Sequence, residues 1–296
     1  MRTFFTAVVG LALGVSANVH AASKVFDREV PAEPKGIVDI SNIAGSIEVT
    51  GWDRNTVSVH GQLGEDVERV DVTSQPGHTT IKVVLPNSGH HNDAEAILKL
   101  QIPQGSELDI SAVSADVISR KVQGIQRLQS VSGEINADLS QANADIKNVS
   151  GDITLHGRGE PGSLHVTTVS GDVKIEHAGG DLEVGSVSGD VKASVDGARS
   201  LRARSTSGDV TFGGKLARGA SVDAESISGE VTLRTSTDGG FNYELTSFSG
   251  DIENCFGASA QRSAHGPGSS LRGTRGDGAG RVHMKSLSGG LMLCDQ

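Results

Sequence analysis

Val149-Ser150-Gly151-Asp152-Ile153, Val169-Ser170-Gly171-Asp172-Val173 and Val187-Ser188-Gly189-Asp190-Val191 are three copies of one pentapeptide. The Ser-Gly-Asp/Glu signal recurs at Gly133, Gly151, Gly171, Gly189, Gly208, Gly229, Gly250 and Gly289, with Ala115 standing for Gly in a ninth copy. From Ala115 the intervals are 18, 18, 20, 18, 19, 21, 21 and 39, so seven lie near 19. A fixed period of this size marks a solenoid. The residue before the Gly is Ser in all nine copies. Two before is apolar in eight: Val113, Val131, Val149, Val169, Val187, Ile227, Phe248 and Leu287, with Thr206 the exception. One after is acidic in eight, and two after is aliphatic in all nine, from Val117 to Leu291.

Upstream, the positions seven and five before the Gly are mostly apolar, as in Leu164/Val166 and Leu182/Val184. Period-two alternation means strand. Each repeat is therefore two short strands joined at a bend, where Gly reaches φ > 0 without strain. About 19 residues cannot hold a crossover helix. The predicted fold is all-β: a single-stranded parallel β-helix, one coil of ~19 residues per repeat, with the rungs ~4.8 Å apart. The aliphatic columns are expected to form its core, and nine rungs to make a rod of roughly 40 Å whose ends need caps. The repeats are assigned to 108–296. Residues 36–107 read as an N-terminal antiparallel β cap that includes a partial repeat around Gly45, and 22–35 as an extended N-terminal segment. Within the cap, His90-His91-Asn92-Asp93 falls in a loop.

The first residues read as an address. Met1-Arg2, an apolar run from Phe4 to Val15 and Val19-His20-Ala21 make a signal peptide spanning 1–21, cleaved after Ala21 or Ala22. The run is too short for a relaxed transmembrane helix, which needs ~20 residues. The chain is thus expected to be exported, to the periplasm or the cell surface, with no transmembrane segment once the leader is removed.

The 39-residue interval could be two rungs, or one rung with an insertion. Residues 257–280 are rich in Gly, Ser, Ala and Arg, which favours one rung plus a polar loop. Cys255 and Cys294 each lie five after their Gly, so they share a column. On adjacent rungs their Cα atoms would lie about 5 Å apart, within disulfide range. A Cys255–Cys294 disulfide is therefore predicted, suited to an exported protein. The alternative is two independent buried thiols. His265 and His283 lie nearby but lack metal-ligand spacing.

The chain has 26 Lys+Arg against 36 Asp+Glu, a net charge of −10, which argues against a nucleic-acid partner. Only 3% of residues are aromatic, too few for base- or sugar-stacking platforms. The acidic column Asp152, Asp172, Asp190, Asp209, Glu230 and Asp251 could be a Ca²⁺ ladder. The plainer reading is that Asp suits the turn and faces water. The Ser column has no His at a fixed place to activate it, so turn and ladder hydrogen bonds account for it better than nucleophilic catalysis. Outward positions six and four before the Gly mix signs, with Arg202/Arg204 between Glu183 and Asp223/Glu225, which suits cross-rung pairing. Arg275-Gly276-Asp277 is an RGD tripeptide in an Arg/Gly-rich stretch, where chance explains it. No catalytic, cofactor or metal residue is assigned.

The Val-Ser-Gly-Asp-Val series, Gly45-Ser46-Ile47-Glu48-Val49 followed by Gly51-Trp52-Asp53, and Leu98–Pro103 before the first full repeat carry a resemblance. Over roughly residues 36–295 the chain resembles the bacterial "putative adhesin" family, an exported domain-of-unknown-function family of β-strand repeats. The resemblance implies a role in the cell envelope; with no catalytic residue assigned, the reading is non-enzymatic, adhesion or interaction with a surface protein or glycan first, a scaffold in envelope maintenance or stress second. A carbohydrate-active β-helix enzyme comes third. Homo-oligomers formed by stacking of exposed solenoid ends are also expected.

Overall fold

The computed structural model describes residues 24–86, 93–140, 143–257, 259–262 and 267–295. The expected signal peptide with Ala21 and Ala22, the loop residues His90–Asn92, and His265 lie outside them. The described chain is all-β, a solenoid-like stack whose strands join one mixed sheet. The rungs pair in parallel with like residues in register. Ile146 sits beside Val166, Val166 beside Val184, and Val184 beside Ala203. The columns seven and five before the bend and two and four after it are buried, and they build the core.

One expected core column is outside. Val113, Val131, Val149, Val169, Val187, Ile227, Phe248 and Leu287 are 44–51% exposed. The reason is parity. In a strand successive side chains alternate faces, so residues seven and five before the Gly share their face with the one three before. That position is a buried polar column: Ser130, Asn148, Thr168, Ser186, Ser205, Ser226, Ser286 and Ser247.

Two expectations about organisation also change. The stretch 36–107 holds a full-length rung rather than a partial one, because Ile37–Trp52 pairs with Glu107–Arg120 from Ile37↔Glu107 to Thr50↔Arg120, with Gly45 on Ala115. Outside that rung, His78–Val84 and Ala96–Pro103 still run parallel to it. The antiparallel pairing lies further out, between Thr56–Leu63 and Ala96–Pro103 and between Arg69–Gln75 and His78–Val84. Within 22–35, Lys24–Pro31 joins the sheet against Thr56–Leu63.

At the other end chain order and spatial order diverge. Gly280–Ser286 lies between Val210–Ser228 and Gly240–Ser247, parallel to both. Leu291–Cys294 lies likewise between Val231–Thr237 and Ile252–Asn254. The last rung in sequence is thus the penultimate rung in space. Nor is 257–280 simply a polar loop. Ser269–Gly276 is a strand, antiparallel to Gly240–Ser247, with Leu271 opposite Leu245. An edge-covering strand needs one apolar contact and an otherwise polar outer face, so its composition resembles a loop's. Cys255 and Cys294 are on adjacent rungs and form a disulfide, Cα–Cα 4.8 Å. Phe241, Tyr243 and Phe256 gather at this end with ring centroids 5.9–6.2 Å apart.

The bends explain the glycines. At Gly133, Gly151, Gly171, Gly189, Gly208, Gly229, Gly289 and Gly250, in that spatial order, a Cβ would lie under 3.0 Å from the carbonyl oxygen of the preceding bend. Gly189 also has φ +128°, whereas Gly197, φ +75°, faces open space. Gly189→Ala is expected to cost about 3 kcal/mol or more, from strain plus backbone collision, and Gly197→Ala roughly 1 kcal/mol. Urea denaturation of the two variants checks the order. Replacing both cysteines by Ser should lower stability by up to about 4 kcal/mol, the chain-entropy value for a loop spanning 39 residues; an unchanged urea midpoint would contradict this.

Candidate functional site

Three columns meet at each bend. Inside, the position three before the Gly ties the turn down. The Gly133 N–H donates to Ser130 Oγ at 3.1 Å, and Gly250 and Gly289 do the same to Ser247 and Ser286 at 2.8 Å. Asn148 Nδ2 donates to the carbonyls of Gly133 and Gly151 at 2.8 and 2.9 Å. At these bends small polar groups satisfy backbone atoms that water cannot reach, whereas the hydroxyls of Thr168 and Ser226 have no partner among the described residues. Sequence reading missed this column, although the parity of the apolar positions around it was the available signal.

At the corner stand the serines just before the Gly, all exposed. Their backbone carries the ladder, as where Ser132 N–H donates to the Val113 carbonyl at 2.7 Å. Beyond them is the acidic column, which has a specific duty. Asp116, Asp152, Asp172, Asp190 and Asp209 each accept, through Oδ1, the backbone N–H of the acidic residue one rung on, at 2.8–3.0 Å. A short side chain makes this reach. Glu230 turns instead to the Thr232 hydroxyl, at 2.9 Å. The column is also broken, because the inserted last rung puts Gly290 between Glu230 and Asp251. Among the described residues no group of three or more His, Cys, Asp or Glu is arranged to hold a metal ion.

The outward column six before the Gly alternates acidic with basic side chains. In spatial order it reads Asp109, Arg127, Asp145, His165, Glu183, Arg202, Asp223, His283, Glu244 and Arg272. Arg127 reaches Asp109 at 3.1 Å, and His283 Nδ1 lies 2.9 Å from Asp223. In chain order Asp223 and Glu244 would be neighbours, and His283 stands between them only because the last rung is inserted there. The hydrogen bond from Arg272, helped by the charges of Arg272 and His283, holds the Glu244 carboxyl below its ordinary value of 4.5 against partial desolvation. Glu176 is lowered in the same way, by Lys174 and His156. A general acid at neutral pH needs a raised carboxyl, so neither residue is suited to that work. The RGD tripeptide is engaged within the chain: Arg275 pairs with Asp295 at 2.6 Å and covers Phe256 at 4.4 Å, and Asp277 pairs with Arg218 at 3.0 Å.

A groove of about 700 Å³ runs beside the exposed apolar column near the C-terminal end. Its lining includes Thr206, Ile227, Phe248 and Leu287 of that column, Arg204 and Lys285, and the segment Gly268–Ser270. No helix of the described residues is long and apolar enough to cross a membrane.

A repeating all-β stack with an engaged carboxylate column defines a β-solenoid-like fold. The chain belongs to the Toastrack DUF4097 family, whose model matches residues 30–195 and 104–221. Among curated proteins nothing matches. Several solved structures are similar. A "putative adhesin" from Bacteroides fragilis is 12% identical, covers 91% of this chain and 97% of its own, and has TM-score 0.38. A "putative cell adhesion protein" from Clostridium sporogenes is 12% identical, covers 92% and 100%, and has TM-score 0.25. A "putative lipid binding protein" from Parabacteroides distasonis is 13% identical, covers 91% and 96%, and has TM-score 0.31. At these scores the likenesses carry no argument about what this chain does.

The lowered Glu244 carboxyl makes a pH prediction. A depressed folded value stabilises above the unfolded value and is lost as pH falls through the folded one. The difference in melting temperature between the wild type and Glu244→Gln should therefore be full above pH 4.5, the ordinary value, and close as the pH drops below it. A difference that persists in strong acid would sink the assignment.

Proposed function

We propose that the chain is an exported, non-enzymatic adhesin or interaction module of the bacterial cell envelope. In finer detail we read it as a single-stranded parallel β-helix with an antiparallel N-terminal cap. The observation that carries the functional reading is that the groups able to do chemistry already do structural work. The aspartates hold the next rung's N–H groups, the buried serines hold the bends, and the outward charges neutralise one another rung by rung. What remains is a rigid, extended surface, which solenoids use for recognition. The Cys255–Cys294 disulfide favours an oxidising compartment. The partner class proposed is an envelope or surface protein or a glycan, with no nucleic acid, in keeping with the net charge of −10.

Location tests the reading. Host cells are treated intact with protease and, separately, by osmotic shock. Digestion without lysis is the outcome expected of a surface adhesin. Protection with release on shock would transfer the role to a periplasmic scaffold, and retention in the cytoplasm would overturn export altogether. Cleavage of a sugar in a glycan panel would overturn the non-enzymatic assignment.

A further inference from the structure

Eleven large apolar side chains of the described residues are exposed, and nine of them stand in one column. In spatial order the column is Ile43, Val113, Val131, Val149, Val169, Val187, Thr206, Ile227, Leu287 and Phe248, with Thr206 its one polar member. Scattered exposed hydrophobes need no explanation, but a contiguous stripe marks an interaction site. Nothing in the fold requires it, since these side chains point away from the core and Thr206 keeps its rung in register without an apolar group.

We propose that this ladder is the surface through which two copies of the chain pair side by side, with their rods parallel and a two-fold axis along them. Three observations choose a second copy. First, the rungs repeat at ~4.8 Å, and only a partner with the same repeat can meet the ladder side chain for side chain along its length. Second, the area is sufficient. Ten rungs span about 43 Å, and the strip from four residues before the Gly to one after is about 17 Å wide at ~3.3 Å per residue, so roughly 700 Å² is available, near the ~800 Å² per partner of a standard interface.

Third, the flanks are complementary. Along one side of the stripe runs the acidic column. Along the other runs the position four before the Gly, which includes Lys147, Arg204 and Lys285 against the single acid Glu225. A two-fold axis along the rods sets the acidic flank of each copy against the cationic flank of its partner. On equal rungs Lys147 then faces Asp152, Arg204 faces Asp209, and Lys285 faces the gap at Gly290 between Glu230 and Asp251, while Glu225 opposite Glu230 is the one like-charged rung. A two-fold axis across the rods would set acid against acid, which is repulsive. The ends are less suited to pairing: antiparallel strands cover both, Ser269–Gly276 at one and Thr56–Leu63 with Lys24–Pro31 at the other. This inference does not depend on the adhesin reading.

The test is sedimentation velocity of the purified full chain from low to high micromolar concentration. A concentration-dependent dimer is expected, weakened at least tenfold by Val169→Asp with Val187→Asp, with circular dichroism unchanged because both side chains face outward. Should that pair fail to fold, Val169→Thr with Val187→Thr reads the same surface, Thr206 showing that threonine fits. Val131→Cys, near one end of the ladder, reports direction. Parallel rods bring the two Val131 positions together, so an intermolecular disulfide is expected. A monomer at every concentration, a dimer indifferent to these substitutions, or no Val131→Cys crosslink overturns the proposal. So would a monomer that floats with phosphatidylglycerol vesicles through the same residues, which would make the stripe a lipid surface.

Discussion

The structure rests on the contact between successive bends. Each Gly packs its backbone directly on the carbonyl of the bend before it, with no room for a Cβ. That contact fixes the register absolutely, because a slip of one residue would drive a side chain into a carbonyl. Once the register is fixed, every column follows: apolar on apolar within, hydroxyl on hydroxyl at the corner, and carboxylate beside N–H outside. A solenoid's stability is largely the sum of its neighbour interfaces, so the repetition of one close contact is what makes the rod cooperative.

The bend is held from both sides. Ser or Asn three residues earlier supplies hydrogen bonds within the core at most bends, Thr168 and Ser226 making none through their hydroxyls among the described residues, and Asp one residue later supplies them at the surface. Stacked carboxylates repel by somewhat under 1 kcal/mol per neighbouring pair at ~4.8 Å in water. The charge-assisted bond to each next N–H is larger, about 1.5–3 kcal/mol, so the column is tolerated without a cation. The alternating charge ladder six positions before the Gly works differently. Its exposed pairs add little each, yet they discriminate between registers and rung orders.

The two ends show how the repeat is stopped. Antiparallel strands turn the edges away from further parallel pairing. At the C-terminal end Phe241, Tyr243 and Phe256 are gathered, and Arg275 lies over Phe256. The insertion of the last rung inside the one before it joins residues distant in sequence. The disulfide then ties the inserted strand to its outer neighbour.

Much was legible in the sequence. The period, the bend glycines, the strand pattern and the shared column of Cys255 and Cys294 follow from local chemistry that repeats, and repetition turns weak signals into strong ones. The parity of Leu164 and Val166 even contained the correction that puts Val169 outside and Thr168 inside, because alternation along a strand is a local rule. Rung order was not legible. Val282 lies between Val222 and Tyr243 and pairs with both, a placement that no local pattern in the chain specifies. The polar strand Ser269–Gly276 was hidden for the same reason, as its partner is an edge that exists only in the folded stack. The role of the aspartates was likewise tertiary, since the N–H each one holds belongs to another turn of the chain. Sequence by itself determined the rung, because a rung is set by neighbours along the chain. Only the tertiary structure decided the order of the rungs and the use of their outer faces, because those are set by neighbours across it.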